Sequence, residues 1–319
     1  MNMYKVLVTA RSFGKTDSKA KELLEAHGCE VIKLEAGALS IEEQLAKEIA
    51  DADAVIAGLE DYTPELLKRA KKLKVISRYG VGYDKVDVGA AKEQGIAVTI
   101  TPGANGDSVA DLAMALMLDG ARNVTIMDNS IKNRAQKRPS GVEMWQKTLG
   151  IIGAGRIGQG VGRRCRGFDM KILCYDTYRS EEFKRECGAQ YVDLETLLRE
   201  SDFITIHSPL TPETKHMIST EQFKMMKKDA VIVNTARGGI VDEDALYEAL
   251  KSGEIRAAGL DATVTEPPYD SPLMMLENCI LTPHAGAATA EASSKMSYMA
   301  AQNALEVLEN GSSKFAVNE

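Results

Sequence analysis

The chain has 319 residues, long enough for two domains with sizeable cores, and its 44% hydrophobic and 27% charged content is that of a globular protein. A formal net charge of −7 and a pI near 5.4 exclude a sequence-independent nucleic-acid binder, and no apolar run reaches the roughly 18 residues of a membrane span. The five cysteines show no CxxC or metal spacing and no signal segment precedes the first strand pattern, so a metal-free protein of the reducing cytoplasm is expected.

Short β-branched runs alternate with helical patterns from the start. "KVLVTA", "EVIKLE", "AVIAGL", "KVISRYG" and "IAVTITP" are separated by segments such as "SKAKELLEAHG" and "TPELLKRAKKL". That alternation predicts a doubly wound parallel α/β layer over residues 1–101. One long helix is expected over about 105–133, with "VADLAMALML" as its apolar part. The alternation then restarts with "TLGIIG", "KILCYD", "FITIHS", "AVIVNTA", "RAAGLDA" and "CILTPH", which predicts a second α/β domain. A last helix, about 289–310, ends at Gly311 and has no evident place in the second series. Parallel sheets of this kind bind ligands beyond the carboxyl ends of their strands, so residues just after strands are the candidates for chemistry.

Gly153, Gly155 and Gly158 stand in G-x-G-x-x-G spacing. Alone that pattern is weak, but here it follows the apolar strand "TLGII" and opens a helix that begins with Arg156 and Ile157. Free N–H groups at such a helix start suit a pyrophosphate. The next strand, "KILCYD", ends at Asp176, where an acid accepts hydrogen bonds from a ribose 2′-OH and repels a 2′-phosphate. NAD is therefore the expected cofactor, with Arg179 leaving room for some tolerance of NADP.

A nicotinamide cofactor carries hydride, so the chain must supply a proton donor and a substrate anchor. Of four histidines, His27 and His216 fall in loop patterns, whereas His207 and His284 each end a strand. Asp261 also ends a strand, and Glu266 follows it just before Pro267 and Pro268. A carboxylate beside a catalytic histidine would orient the ring and favour its protonated form. In "VIVNTARGGIVDEDAL" a buried strand ends by presenting Arg237 over Gly238 and Gly239. Its planar fork suits a carboxylate and the adjacent carbonyl. Arginine, glutamate and histidine at neighbouring strand ends fit one reaction, the reduction of a 2-oxo acid to a 2-hydroxy acid.

These residues resemble the D-isomer-specific 2-hydroxyacid dehydrogenases, in particular the phosphoglycerate dehydrogenase and hydroxypyruvate reductase branch. The resemblance runs from "SRYGVGYDKVD" (77–87) to "LTPHAGAAT" (281–289) through "TPGANGDSVAD", "KTLGIIGAGRIG", "HSPLTPETKHMI", "VNTARGGIVDEDAL" and "GLDATVTEPP". It implies that Arg237 binds the substrate carboxylate and carbonyl, that His284 is the acid/base and that Glu266 is its partner. It also implies that His207, Ser208, Pro209, Thr214, Thr235, Ala236, Asp261 and Gly286 lie around the cofactor. A flavodoxin-like substrate domain of residues 1–101 plus 286–319 and a Rossmann nucleotide domain of residues 102–285 follow from it, as does a homodimer joined through the nucleotide domains.

The pattern departs from the family at Ala262 and Thr263, where Val-Phe is common, and at Gln146, where many members have Gly. No regulatory domain follows residue 319, so serine feedback is not expected. The Gly80-Val81-Gly82 backbone is a candidate for the substrate carboxylate, and Arg78 for a second anionic group such as a phosphate. The basic stretch "KNRAQKR" (132–138) reads either as a solvated surface or as a loop approaching a neighbouring site. Corepressor relatives that sense NAD(H) with the same Arg/Glu/His set are the alternative from another class, but they carry extra tails. Formate-type relatives place Gln where Glu266 stands.

Overall fold

Two parallel sheets carry the fold, one in each of two units. The computed structural model describes residues 3–318; unit 1 runs through Asn105 and resumes at Ala288, and unit 2 is Gly106–Ala287. The expected boundaries after 101 and 285 thus move by four and two residues. The first shift has a local cause, since Ala104 N–H bonds back to Thr101 C=O at 3.4 Å, and Thr101 N–H in turn to Gly80 C=O at 2.9 Å within unit 1.

In unit 1 the order along the chain is β1 Tyr4–Val8, α1 Lys19–Ala26, β2 Cys29–Lys33, α2 Ile41–Glu48 and β3 Ala54–Ala57. It continues with α3 Pro64–Leu67, β4 Val75–Arg78, α4 Val88–Glu93 and β5 Ala97–Thr99. The sheet order β2-β1-β3-β4-β5 is flavodoxin-like and every pairing is parallel. Polar residues set the helix starts: Ser40 and Glu43 form a capping box at α2, and Thr63 caps α3 with Pro64 in its first turn. The C-terminal helix, Ala290–Asn310, finds its place here. Its Ala300, Ala301 and Ala304 pack with Val6, Val8, Ile56 and Val75, small side chains allowing the helix close to the strands. Ser77 Oγ also donates to Ala300 C=O at 2.8 Å. Gly311, at φ +81°, ends that helix in the left-handed conformation.

Unit 2 contains α5 Gly106–Arg122, α6 Val124–Lys132, β6 Thr148–Ile152, α7 Arg156–Cys165, β7 Lys171–Tyr175, α8 Glu181–Cys187 and β8 Gln190–Tyr191. Then come α9 Leu194–Glu200, β9 Phe203–Ile206, α10 Thr220–Met225, β10 Val231–Asn234, α11 Glu243–Ser252, β11 Ala257–Leu260 and β12 Cys279–Leu281. The order β12-β11-β10-β9-β6-β7-β8 is the Rossmann arrangement with one further strand at the edge. β6, β9, β10 and β11 are buried on both faces, which is why they read as continuous apolar runs.

The single helix expected over 105–133 is two helices. Asn123 takes a left-handed conformation (φ +55°), which asparagine tolerates better than most residues, and Asp119 accepts from Thr125 N–H at 2.8 Å across the break. The two-residue β8, at the sheet edge, gave no pattern long enough to read. Among the described residues no helix is long and apolar enough to cross a membrane.

Candidate active site

Six strands of unit 2 end along one edge of the sheet, and each delivers a residue singled out from the sequence. β6 leads to the glycine loop and β7 to Asp176. β9 leads to His207, β10 to Arg237, β11 to Asp261 and Glu266, and β12 to His284. Because β10, β11 and β12 are successive neighbours, Arg237, Glu266 and His284 follow adjacent strands.

The three loop glycines are glycine for different reasons. At Gly153, φ is +90° and a side-chain carbon would stand 2.6 Å from Ser208 N. At Gly158 it would stand 2.3 Å from the Gly153 carbonyl oxygen, the close contact that lets α7 start tightly against β6. At Gly155 nothing lies within 4 Å, so the cradle is open where a pyrophosphate would approach the start of α7. Arg156 is exposed and Ile157 half-buried on the first turn of that helix. Asp176 Oδ2 accepts from Ala154 N–H at 2.7 Å and Oδ1 from Tyr178 N–H at 2.8 Å. The acid that would meet a ribose thus also braces the glycine loop. These residues fit a dinucleotide with an unphosphorylated ribose.

His207 differs from His284 in kind. Its Nε2 lies 2.9 Å from Thr205 Oγ1 and its Nδ1 3.2 Å from Thr235 Oγ1. The residue keeps some exposure, but both nitrogens face hydroxyls, and burial pushes its pKa down to about 3. A ring that stays neutral at working pH is a poor proton donor, so of the two strand-end histidines it is a fixed polar wall. Thr214 Oγ1 donates to Pro209 C=O at 2.7 Å and shapes the loop after Ser208.

His284 sits at φ +51°, and its Nδ1 lies 3.0 Å from both carboxylate oxygens of Glu266. Both side chains are about one-third exposed, so Nδ1 is committed to the carboxylate while the ring still has access to solvent. Beneath them, Asp261 is 2% exposed and accepts from Thr282 Oγ1 at 2.6 Å, Ala285 N–H at 2.7 Å and Gly286 N–H at 2.8 Å. This buried carboxylate ties the end of β11 to the loop that carries His284.

Asn234 was not singled out from the sequence. It is 1% exposed; its Oδ1 accepts from Ala236 N–H at 3.0 Å and its Nδ2 donates to Arg237 C=O at 2.8 Å. One side chain therefore closes the turn that presents Arg237, whose Nη1 donates to Ala236 C=O at 2.7 Å. A strand ending in Asn before a Gly-Gly turn is the signal that would have found it.

In unit 1, Arg78 is 5% exposed, with Nε donating to Gly82 C=O at 2.9 Å and Nη1 to Ala57 C=O at 2.8 Å. It props the Gly80–Gly82 turn, where Gly80 has φ +146° and Val81 is exposed. His27 pairs with Glu309 at 2.8 Å on the surface, and His216 lies 4.0 Å from Asp242. The 132–138 stretch is exposed, with Lys137 paired to Glu277 at 2.5 Å. Among the described residues no group of three or more His, Cys, Asp or Glu could hold a metal ion.

Comparison with known proteins points one way. The family model for the NAD binding domain of the D-isomer specific 2-hydroxyacid dehydrogenases matches residues 114–286. D-3-phosphoglycerate dehydrogenase of Methanocaldococcus jannaschii is 45% identical over 320 residues, covering 99% of this chain and 60% of that protein. The chain thus spans less than two thirds of that relative's length. Glyoxylate reductase of Korarchaeum cryptofilum is 46% identical over 267 residues, 81% of this chain and 80% of the relative. The crystal structure of D-lactate dehydrogenase from Aquifex aeolicus, complexed with NAD and lactic acid, superposes with a TM-score of 0.84 at 28% identity, covering 99% of each chain.

Proposed function

The chain belongs to the D-isomer specific 2-hydroxyacid dehydrogenases, and on that premise we propose that it interconverts a small 2-oxo acid and its D-2-hydroxy acid with NAD(H). The observation that carries the reading is the His284–Glu266 pair, 3.0 Å apart, with Glu266 following the strand next to the one that presents Arg237 and His284 the strand after that. Gly153, Gly155 and Gly158 with Asp176 would hold the dinucleotide, and its nicotinamide would supply the hydride that adds to the carbonyl carbon.

The chain's own residues supply the rest. Arg237 binds the oxo acid's carboxylate through its fork and polarises the carbonyl, a contact that strengthens as charge develops on oxygen. His284, with Nδ1 held by Glu266, turns Nε2 to the carbonyl oxygen and donates the proton that completes the alcohol. In the reverse direction the same nitrogen takes that proton back, and Glu266 steadies the imidazolium. Val81 and Gly82 are proposed as substrate-recognition residues of unit 1, and Arg78 as their support and a phosphate contact.

For the substrate we favour hydroxypyruvate or its phosphate ester. Resemblance across the chain to a phosphoglycerate dehydrogenase supports a three-carbon acid; the similarity to a glyoxylate reductase makes the two-carbon acid the necessary control. A homodimer joined through the nucleotide domains is part of the same proposal. The test is NADH oxidation with phosphohydroxypyruvate, hydroxypyruvate, glyoxylate, pyruvate and 2-oxoglutarate. A kcat/KM highest for one of the first two supports the assignment, and no turnover of any of the five overturns it.

A further inference from the structure

Behind the Glu266–His284 pair stands a second carboxylate that none of the roles above uses. Glu243 is the first residue of α11, whose start is fixed by Asp242 accepting from Ala245 N–H at 3.3 Å. It is half-buried, and its Oε1 accepts from Val264 N–H at 2.7 Å. The same segment receives two other parts of the site. Gly238 packs so closely on it that a side-chain carbon there would stand 2.4 Å from Val264 N, and Thr263 N–H reaches Glu266 Oε1 at 3.4 Å. Ala262 and Thr263 offer little bulk to wedge this loop, so polar ties must hold it; Thr263 Oγ1, donating to Thr265 C=O at 2.9 Å, is another.

We propose that Glu243 is a positioning residue for the acid/base pair. It fixes the Thr263–Val264 segment below Glu266 and places a second negative charge behind it, favouring the protonated ring of His284. The inference rests on the functional reading above. Burial pushes the Glu243 carboxyl above its ordinary value, and Asp244 and Glu266 push it the same way, which couples the carboxylates electrostatically. The other titratable groups around it add little. Cys279 stays a neutral thiol, pushed up to about 12 by burial, and Asp242 is engaged by Ser219 at 2.8 Å and lies 4.0 Å from His216. His284 itself faces Glu266, with Asp261 holding its loop through Ala285 and Gly286.

Glu243→Gln keeps an oxygen for Val264 N–H but removes the charge; Glu243→Ala removes both. Two measurements are needed: the pH dependence of kcat for oxo-acid reduction, and the pH midpoint of the His284 ring signal by NMR, assigned by its loss in His284→Gln. Glu243→Gln should move the upper pH limb of reductive kcat down by about 0.3 unit or more, with a matching fall in the NMR midpoint and an unchanged KM for NADH. Glu243→Ala should add a roughly tenfold loss of kcat, because the loop under Glu266 is released. An unmoved His284 midpoint in Glu243→Gln overturns the proposal. The NMR measurement needs no turnover. A midpoint that falls in a protein reducing none of the oxo acids would therefore sink the functional reading and leave the Glu243 coupling standing.

Discussion

A side-chain carbon on Gly238 would lie 2.2 Å from the carbonyl carbon of Thr263, so the turn below Arg237 and the loop leading to Glu266 touch backbone to backbone. The proposed substrate anchor and the proposed partner of the acid/base thus share one close backbone junction. Gly239, at φ +81°, has the other task of turning the chain away. The paired glycines after Arg237 answer two separate demands, one steric and one conformational.

Arg237→Lys should not restore function. Lysine keeps the charge but lacks the planar fork, and its ammonium cannot hold the carboxylate and polarise the carbonyl together. Steady-state kinetics should show KM for the oxo acid raised and kcat lowered. Near-normal values would leave Arg237 a structural residue.

His284→Ala should lower kcat by roughly 100-fold or more with little change in NADH affinity, as expected for loss of a general acid. Glu266→Gln should move the pH profile. Reduction needs the protonated ring, and losing the anion disfavours that form, so activity should fall at a lower pH than in the unmodified protein. Superimposable profiles would mean that the 3.0 Å contact does not couple the two groups.

Asp176→Ala should relax the preference for NADH over NADPH. It should also raise KM for both, because the carboxylate proposed to repel a 2′-phosphate also accepts from Ala154 N–H in the glycine loop. Comparison of kcat/KM for the two cofactors decides it. Equal values in the unmodified protein would remove Asp176 from the ribose site.

His207 makes stability depend on pH. Its pKa is about 3 when folded, against 6.5 for the ordinary side chain, so the unfolded chain takes up a proton that the native site resists. The stabilisation is complete above about pH 6.5 and is lost as pH falls toward 3, on the order of 2 kcal/mol after allowing for the residue's partial exposure. Urea unfolding at pH 7.5 and pH 5 should show the fall, and His207→Gln should reduce it. An identical decline in the mutant would assign the effect to other groups.

Arg78→Ala should raise KM for every oxo acid in the panel, because the Gly82 carbonyl loses its 2.9 Å donor and the turn loosens. A penalty several-fold larger for phosphohydroxypyruvate than for hydroxypyruvate would give the guanidinium its phosphate. Equal penalties would leave it a support for the turn.

Much of this was legible from local pattern alone. The glycine spacing after an apolar strand, Asp176 at the end of the next strand, and Arg237 and His284 at strand ends all carry their signal within a dozen residues. What escaped reading depends on approach across the fold. Nothing near Val264 says that Glu243 will accept its N–H, and nothing near Gly238 says that Thr263 will press on it. Asp261 was legible as a strand-end acid, but its hold on the His284 loop joins residues 24 and 25 positions apart. The long helix failed for a more local reason: helical periodicity survives on both sides of Asn123, and only the left-handed backbone at that residue breaks it.

The interrupted course of unit 1 sets an order on vectorial synthesis. β1, β3 and β4 leave the ribosome within the first 78 residues, but the helix that covers Val6, Val8, Ile56 and Val75 is not complete until Asn310. At typical elongation rates that gap is roughly 12–46 s, during which α1, through Ala20 and Leu24, is the one helix on that face of the five-stranded sheet and leaves the rest of it uncovered. Unit 2 is continuous and can close as soon as Ala287 emerges. A nascent chain stalled before Ala288 would therefore carry one finished unit and one sheet open to chaperones or to its neighbours on the polysome.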